Sequence, residues 1–145
     1  MSAPLYNAEI LRLAAAIPHH QRLPDPMGSS EKRSPVCGSR VTVDVDLDET
    51  GRVSAVGLLV RACALGQASS SLLAAEIAGR SPRELAAVRD ALAVWLAGGE
   101  SAPEWPGLAV FGPARPHTAR HASIRLAFEA AAEAAELAAA DVPAR

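Results

Sequence analysis

The chain has 145 residues, half of them hydrophobic, yet aromatics make up only 3% and alanine carries much of the apolar share. That length can bury a real core as one domain, residues 1–145, and the composition asks for close-packed helices on a sheet without a large aromatic cluster. A formal net charge of −2 gives no electrostatic pull toward nucleic acid or an anionic membrane, and no long apolar run would cross a bilayer.

Leu5 to Ile17 predicts a helix, with Leu5, Ile10, Leu13 and Ile17 near helical spacing, and Pro18 stops it. Residues 18–36 hold Pro18, Pro24, Pro26, Gly28 and Pro35 among polar residues and read as a loop. Val41, Val43, Val45 and Leu47 alternate with Thr42, Asp44, Asp46 and Asp48, the pattern of a half-buried strand whose carboxylates face solvent. A turn at Asp48-Glu49-Thr50-Gly51 leads to a second strand, Val53 to Arg61, and so to an antiparallel hairpin.

Three helices are expected next. Ala64 to Ala78 is closed by Gly79. Ser81-Pro82-Arg83-Glu84 has the makings of a capping box, opening a helix with Leu85, Val88, Leu92 and Trp95 on one face. After an irregular Pro/Gly segment over residues 99–118, an alanine-rich helix from about 119 to 139 packs through Ile124, Phe128, Ala131 and Ala135.

Two cysteines without close partners make no disulfide framework, and Met1-Ser2-Ala3-Pro4 lacks the features of a secretory signal, so reduced thiols in a cytoplasm are expected. Cys63 ends a strand-like run and opens a small-residue helix, Ala64-Leu65-Gly66-Gln67-Ala68-Ser69-Ser70-Ser71-Leu72. A thiol at a helix N-terminus faces unpaired N–H groups, which favours the thiolate that binds metal or carries sulfur. The three serines read more simply as helix-packing residues that bond back to the previous turn. His19-His20 and His117 read as solvated loop residues.

The Cys63 run resembles the second cysteine motif of the U-type iron–sulfur scaffold family (IscU, SufU and the N-terminal domain of NifU), where Gly-Cys leads into Ser-x-Ala-Ser-x-Ser-x-Leu. Pro35-Val36-Cys37-Gly38-Ser39 resembles the family's first motif, Pro-x-Cys-Gly-Asp. Arg120-His121-Ala122-Ser123-Ile124-Arg125-Leu126-Ala127 is similar to its third, Arg/Lys-x-x-Cys-x-x-Leu-Ala. The resemblance implies an α+β fold, a small antiparallel β-sheet packed against several α-helices in the SufE/NifU-like manner.

The family's metal site uses three cysteines and an aspartate. Cys37 and Cys63 match two of the cysteines, Ser39 stands at the aspartate and Ser123 at the third cysteine. Ala122 stands where some members carry a histidine. His121 is one residue removed, which on a helix rotates a side chain by about 100 degrees, so it can act as a ligand only if the helix has not yet begun. The ligand set implied is therefore Cys37 and Cys63, with His121, Ser123 and Ser39 as further donors.

The implied role is a non-enzymatic scaffold or carrier in iron–sulfur cluster assembly, binding iron and a transient [2Fe–2S] cluster, or zinc. Its partners would be a cysteine desulfurase and cluster acceptor proteins. One chain offers two thiolates where such a cluster uses four, so a homodimer with the cluster at its interface is expected. The alternatives are a persulfide sulfur-transfer partner of the desulfurase, or a metal-free binding module that keeps only the fold.

Overall fold

The computed structural model describes residues 6–35 and 38–141. Its centre is a three-stranded antiparallel sheet in the order β1-β2-β3, with β1 at Gly28–Arg33, β2 at Arg40–Leu47 and β3 at Val53–Arg61. Helix α1 (Ala8–Ala15) precedes the sheet and α2 (Ala64–Glu76), α3 (Pro82–Leu96) and α4 (His121–Asp141) follow it. Short 3-10 turns at Leu108–Ala114 and Thr118–Arg120 join α3 to α4. This is the expected α+β architecture. Among the described residues no helix is long and apolar enough to cross a membrane.

Val41, Val43 and Val45 are buried on one face of β2, opposite Val60, Leu58 and Val56 of β3. Helix α4 lies across that face and touches β1, β2, α2 and α3. Ile124, Phe128, Ala131 and Ala135 are buried along it, together with Ala127, Ala130, Ala134 and Ala138. Alanine at these positions lets the helix axis come close to the sheet. Trp105 meets Phe128 edge-on, with centroids 5.3 Å apart, and donates Nε1–H to the Leu72 carbonyl at 2.9 Å.

Helix α3 starts as expected, with Ser81 Oγ accepting from the Glu84 N–H and the Glu84 carboxylate accepting from the Ser81 N–H. Two bonds satisfy two otherwise orphaned donors.

The segment predicted as loop contains β1. That strand has no apolar alternation, because its inward positions are Gly28, Ser30 and Lys32, paired with Val45, Val43 and Val41. Polar side chains are tolerated there because Glu133 of α4 accepts from Ser30 Oγ at 2.7 Å and from Lys32 Nζ at 2.9 Å. At Gly28 there is no room for more: a Cβ would lie 1.9 Å from the Ala134 carbonyl oxygen and 2.6 Å from the Ala138 nitrogen.

The aspartate row is also not a uniformly solvated face. Asp44 is 0% exposed. The segment before β1 folds back over the outer side of the sheet, and Arg22 grips Asp44 through Nε (2.6 Å) and Nη2 (3.1 Å). The Leu23 N–H and Ser29 Oγ donate to the same carboxylate, at 3.0 and 2.6 Å. Asp46 accepts from the Met27 N–H, and Asp48 closes its turn by accepting from the backbone of Thr50 and Arg52. The same segment covers the outer edge of β3, where the Leu58 N–H donates to the His19 carbonyl and the Val60 N–H to His20 Nε2.

Burial alone would raise the Asp44 pKa, but hydrogen bonds from Arg22, Ser29 and the Leu23 N–H, with the Arg22 charge, outweigh it and hold the carboxyl below its ordinary value. A depressed folded-state pKa contributes stability that is complete above the unfolded-state value of about 4 and is lost as pH falls through the folded value. Asp44→Asn is expected to cost about 2 kcal/mol at neutral pH, measured by urea unfolding. The gap to the parent should close in acid; a gap independent of pH would mean the charge is not its source. Gly28→Ala should cost about 3 kcal/mol by forcing α4 off β1, and a Tm matching the parent would contradict the close approach.

Candidate functional site

Strand register decides which segments meet. Arg40 of β2 pairs with Arg61 of β3 at one end of the sheet. The chain therefore enters β2 from Ser39 and leaves β3 into Ala62 and Cys63 at that same end. The β1–β2 connection is closed there by the Ser34 N–H donating to the Ser39 carbonyl at 2.8 Å and the Gly38 N–H to the Ser34 carbonyl at 3.1 Å. Cys37 lies outside the described residues; Gly38 and Ser39, its neighbours in sequence, lie within them.

Cys63 is the N-cap residue of α2, in an extended conformation, half-buried, and its side chain makes no capping hydrogen bond. The Gln67 N–H donates to its carbonyl at 2.9 Å. Beside it, Gly66 lets the start of α4 come close: a Cβ there would stand 2.7 Å from Ala62 Cβ and 3.3 Å from the Ser123 carbonyl oxygen. Ser69 Oγ fastens the contact by donating to the Ile124 carbonyl at 2.6 Å. Ser70 Oγ bonds back to the Gly66 carbonyl and Ser71 Oγ reaches the Ala16 carbonyl. All three hydroxyls serve packing, as the sequence suggests, and leave Cys63 as the chemical group of this run.

The start of α2, Ser39 and Ser123 thus gather at one end of the sheet, with Ser39 and Ser123 both buried. His121 is placed differently. It is the first residue of α4, 9% exposed, and its Nε2 lies 2.9 Å from the Arg115 carbonyl oxygen and 3.2 Å from that of Ala114. Carbonyl oxygens only accept, so Nε2 carries the proton and the free lone pair is on Nδ1. Nδ1 is the ring nitrogen these carbonyls leave uncommitted, and α4 has already begun at His121.

Among the described residues no group of three or more His, Cys, Asp or Glu is placed to hold a metal ion. A closed zinc site takes four strong nitrogen, sulfur or carboxylate donors. The described donors, one thiol beside serine hydroxyls, do not fit a resident zinc.

Arg33, Arg40 and Arg61, to which no local sequence pattern gives a role, stand side by side across the three strands at this end. Their alignment becomes visible only once β1 is recognised as a strand.

The family model described as NifU-like N terminal domain matches residues 5–97. The crystal structure of a nitrogen-fixing NifU-like protein (N-terminal) from Brucella abortus is 37% identical, with a TM-score of 0.87 over 95% of this chain and 96% of that one. A protein of the thermophile Fervidobacterium islandicum, assigned as an iron–sulfur cluster assembly scaffold for the SUF system, shares the fold at 19% identity. Its TM-score is 0.82, over 90% of this chain and 96% of that one. A search of curated proteins gives no match. The family match over most of the chain, and the near-complete overlap with the Brucella protein, show that this chain belongs to the NifU-like N-terminal domain family.

Proposed function

We propose that the protein is a scaffold or carrier in iron–sulfur cluster assembly, taking iron and sulfide as cargo on Cys37 and Cys63 and passing the cluster to an acceptor protein. One observation carries the reading. The start of α2 after Cys63 meets Ser123, and Ser39 lies at the same end of the sheet; Cys63, Ser39 and Ser123 stand where the family has its second cysteine, aspartate and third cysteine. Family membership supports it.

The chemistry follows from the donors. Thiolate sulfur suits iron, whereas a serine hydroxyl is a weaker, neutral donor. A cluster held by Cys37 and Cys63 with Ser39 and Ser123 nearby is underligated on one chain, and two chains bring four thiolates to a [2Fe–2S] unit. Incomplete ligation favours handing the cargo on. Sulfur would come as persulfide from a cysteine desulfurase; a thiol such as excess cysteine reduces each persulfide sulfur to sulfide and is itself oxidised to the disulfide, and the protein's work is binding and release without turnover of a substrate of its own.

A second reading, persulfide relay through Cys63 alone, is favoured by the half-buried thiol that caps nothing. Anaerobic addition of iron, a cysteine desulfurase and cysteine separates the two. The scaffold reading expects a visible thiolate-to-iron charge-transfer band and one cluster per dimer, both abolished by Cys63→Ala. A colourless protein carrying persulfide on Cys63 by mass spectrometry supports the relay instead. Ser123→Cys supplies the thiolate that relatives carry and should bind Zn²⁺ at least about tenfold tighter, since even an outer-shell partner of a metal site is worth that much. Competition against a chromophoric chelator measures it, and unchanged affinity would remove Ser123 from the site.

A further inference from the structure

The cysteine-bearing end of the sheet is also its most cationic part. In register, Arg33 of β1 pairs with Arg40 of β2, which pairs with Arg61 of β3. Like charges directly opposite each other on neighbouring strands are destabilising. Glu31 is the described carboxylate among them, 3.3 Å from Arg33 and 3.9 Å from Arg40. Arg61 has no ion pair or hydrogen bond to another described side chain, and Arg22, the other arginine on this face, is held by Asp44. A positive excess is thus concentrated on a chain whose formal net charge is −2.

A second, independent feature points to a ligand. Ser34 Oγ is buried, with the residue 2% exposed, and has no hydrogen-bond partner among the described residues. An unpaired buried hydroxyl is costly and uncommon. Ser34 lines a concavity of about 580 Å³ together with Arg33, Arg40 and Arg61. A second hollow of about 400 Å³, with Arg22, Glu31, Thr42 and Leu59 in its lining, shares Arg40 and Arg61 with the first.

We propose that this end of the sheet is a docking site for an acidic protein segment, whose carboxylates are received by Arg40, Arg61 and the Ser34 hydroxyl. Guanidinium groups match carboxylates with paired N–H donors, and the Ser34 O–H supplies the further donor that a carboxylate oxygen accepts. Extent argues for a segment over a single small anion. Two adjoining hollows share the arginines, and the exposed Leu59 in the lining of one offers apolar contact that a bare anion would not use. Cys63 follows Arg61 by two residues, so a partner docked here reaches the thiol end of the sheet; that consequence rests on the scaffold reading, whereas the docking site itself does not.

Fluorescence anisotropy with a labelled peptide of alternating Glu and Ser tests the proposal on the metal-free protein, so a failed cluster reconstitution has no bearing on it. The peptide should bind, a Gln/Ser peptide should not, and added salt should weaken binding. Arg40→Gln/Arg61→Gln should weaken it by about tenfold or more, while Arg83→Gln, on the exposed side of α3, should leave it unchanged. Ser34→Ala removes an unsatisfied hydroxyl, so it should keep the fold and still lose affinity several-fold, which preserves the test if the double variant unfolds. Equal binding by parent and arginine or serine variants, or no binding of the acidic peptide, overturns the proposal. Complete displacement of the peptide by an equal concentration of acetate or phosphate would show a small-anion site and overturn the assignment to a protein segment.

Discussion

Helix α4 approaches the sheet so closely that one methyl group at Gly28 would collide with the backbone of Ala134 and Ala138. This spacing governs most of the molecule. It demands alanine down the inner side of α4, so each residue adds little buried area and stability depends on dense contact spread along the helix. It also explains why polar residues occur beneath the helix. Ser30 and Lys32 of β1 are short or flexible enough to fit, and Glu133 gives both a partner. A bulkier apolar strand at the same place would lift α4 away and take Ser123 with it.

Polar burial recurs as the means of fastening irregular chain to regular elements. On the outer side, Asp44 draws in Arg22, Leu23 and Ser29, so a proline-rich stretch is held by a carboxylate projecting from the middle of β2. On the inner side, Ser69 and Ser71 tie α2 to α4 and to the end of α1 through main-chain carbonyls. Each hydroxyl gains little net energy but fixes register, because the alternative is an unsatisfied group in a tight interface. The start of α2 and the start of α4 are kept together by such a bond, and that is where the candidate chemistry lies.

Helices α2, α3 and α4 and the β2–β3 hairpin are legible in the sequence because their signals are local: a capping box, glycine stops, and apolar residues at period two or near period four. Strand β1 is not, because its inward face is Gly28, Ser30 and Lys32 and its partners are more than a hundred residues away in α4. Alternation assigns Asp44 to the correct face of β2, but no local pattern reveals that a returning segment covers that face. Cys63 is legible as a strand-to-helix junction. The state of His121 is not, since the carbonyls that fix its proton belong to the irregular connector at Ala114 and Arg115. The arginine row needs two strand registers at once, and one of those strands is hidden.

Strand β3 is last in the sheet, and a terminal strand ordinarily displays bare amides that invite a foreign strand. Here the His19 carbonyl and the His20 imidazole already occupy the Leu58 and Val60 amides. Two histidines in a loop thereby act as a selvage on the fabric of the sheet. Growth by strand addition on that flank would first have to unpick them.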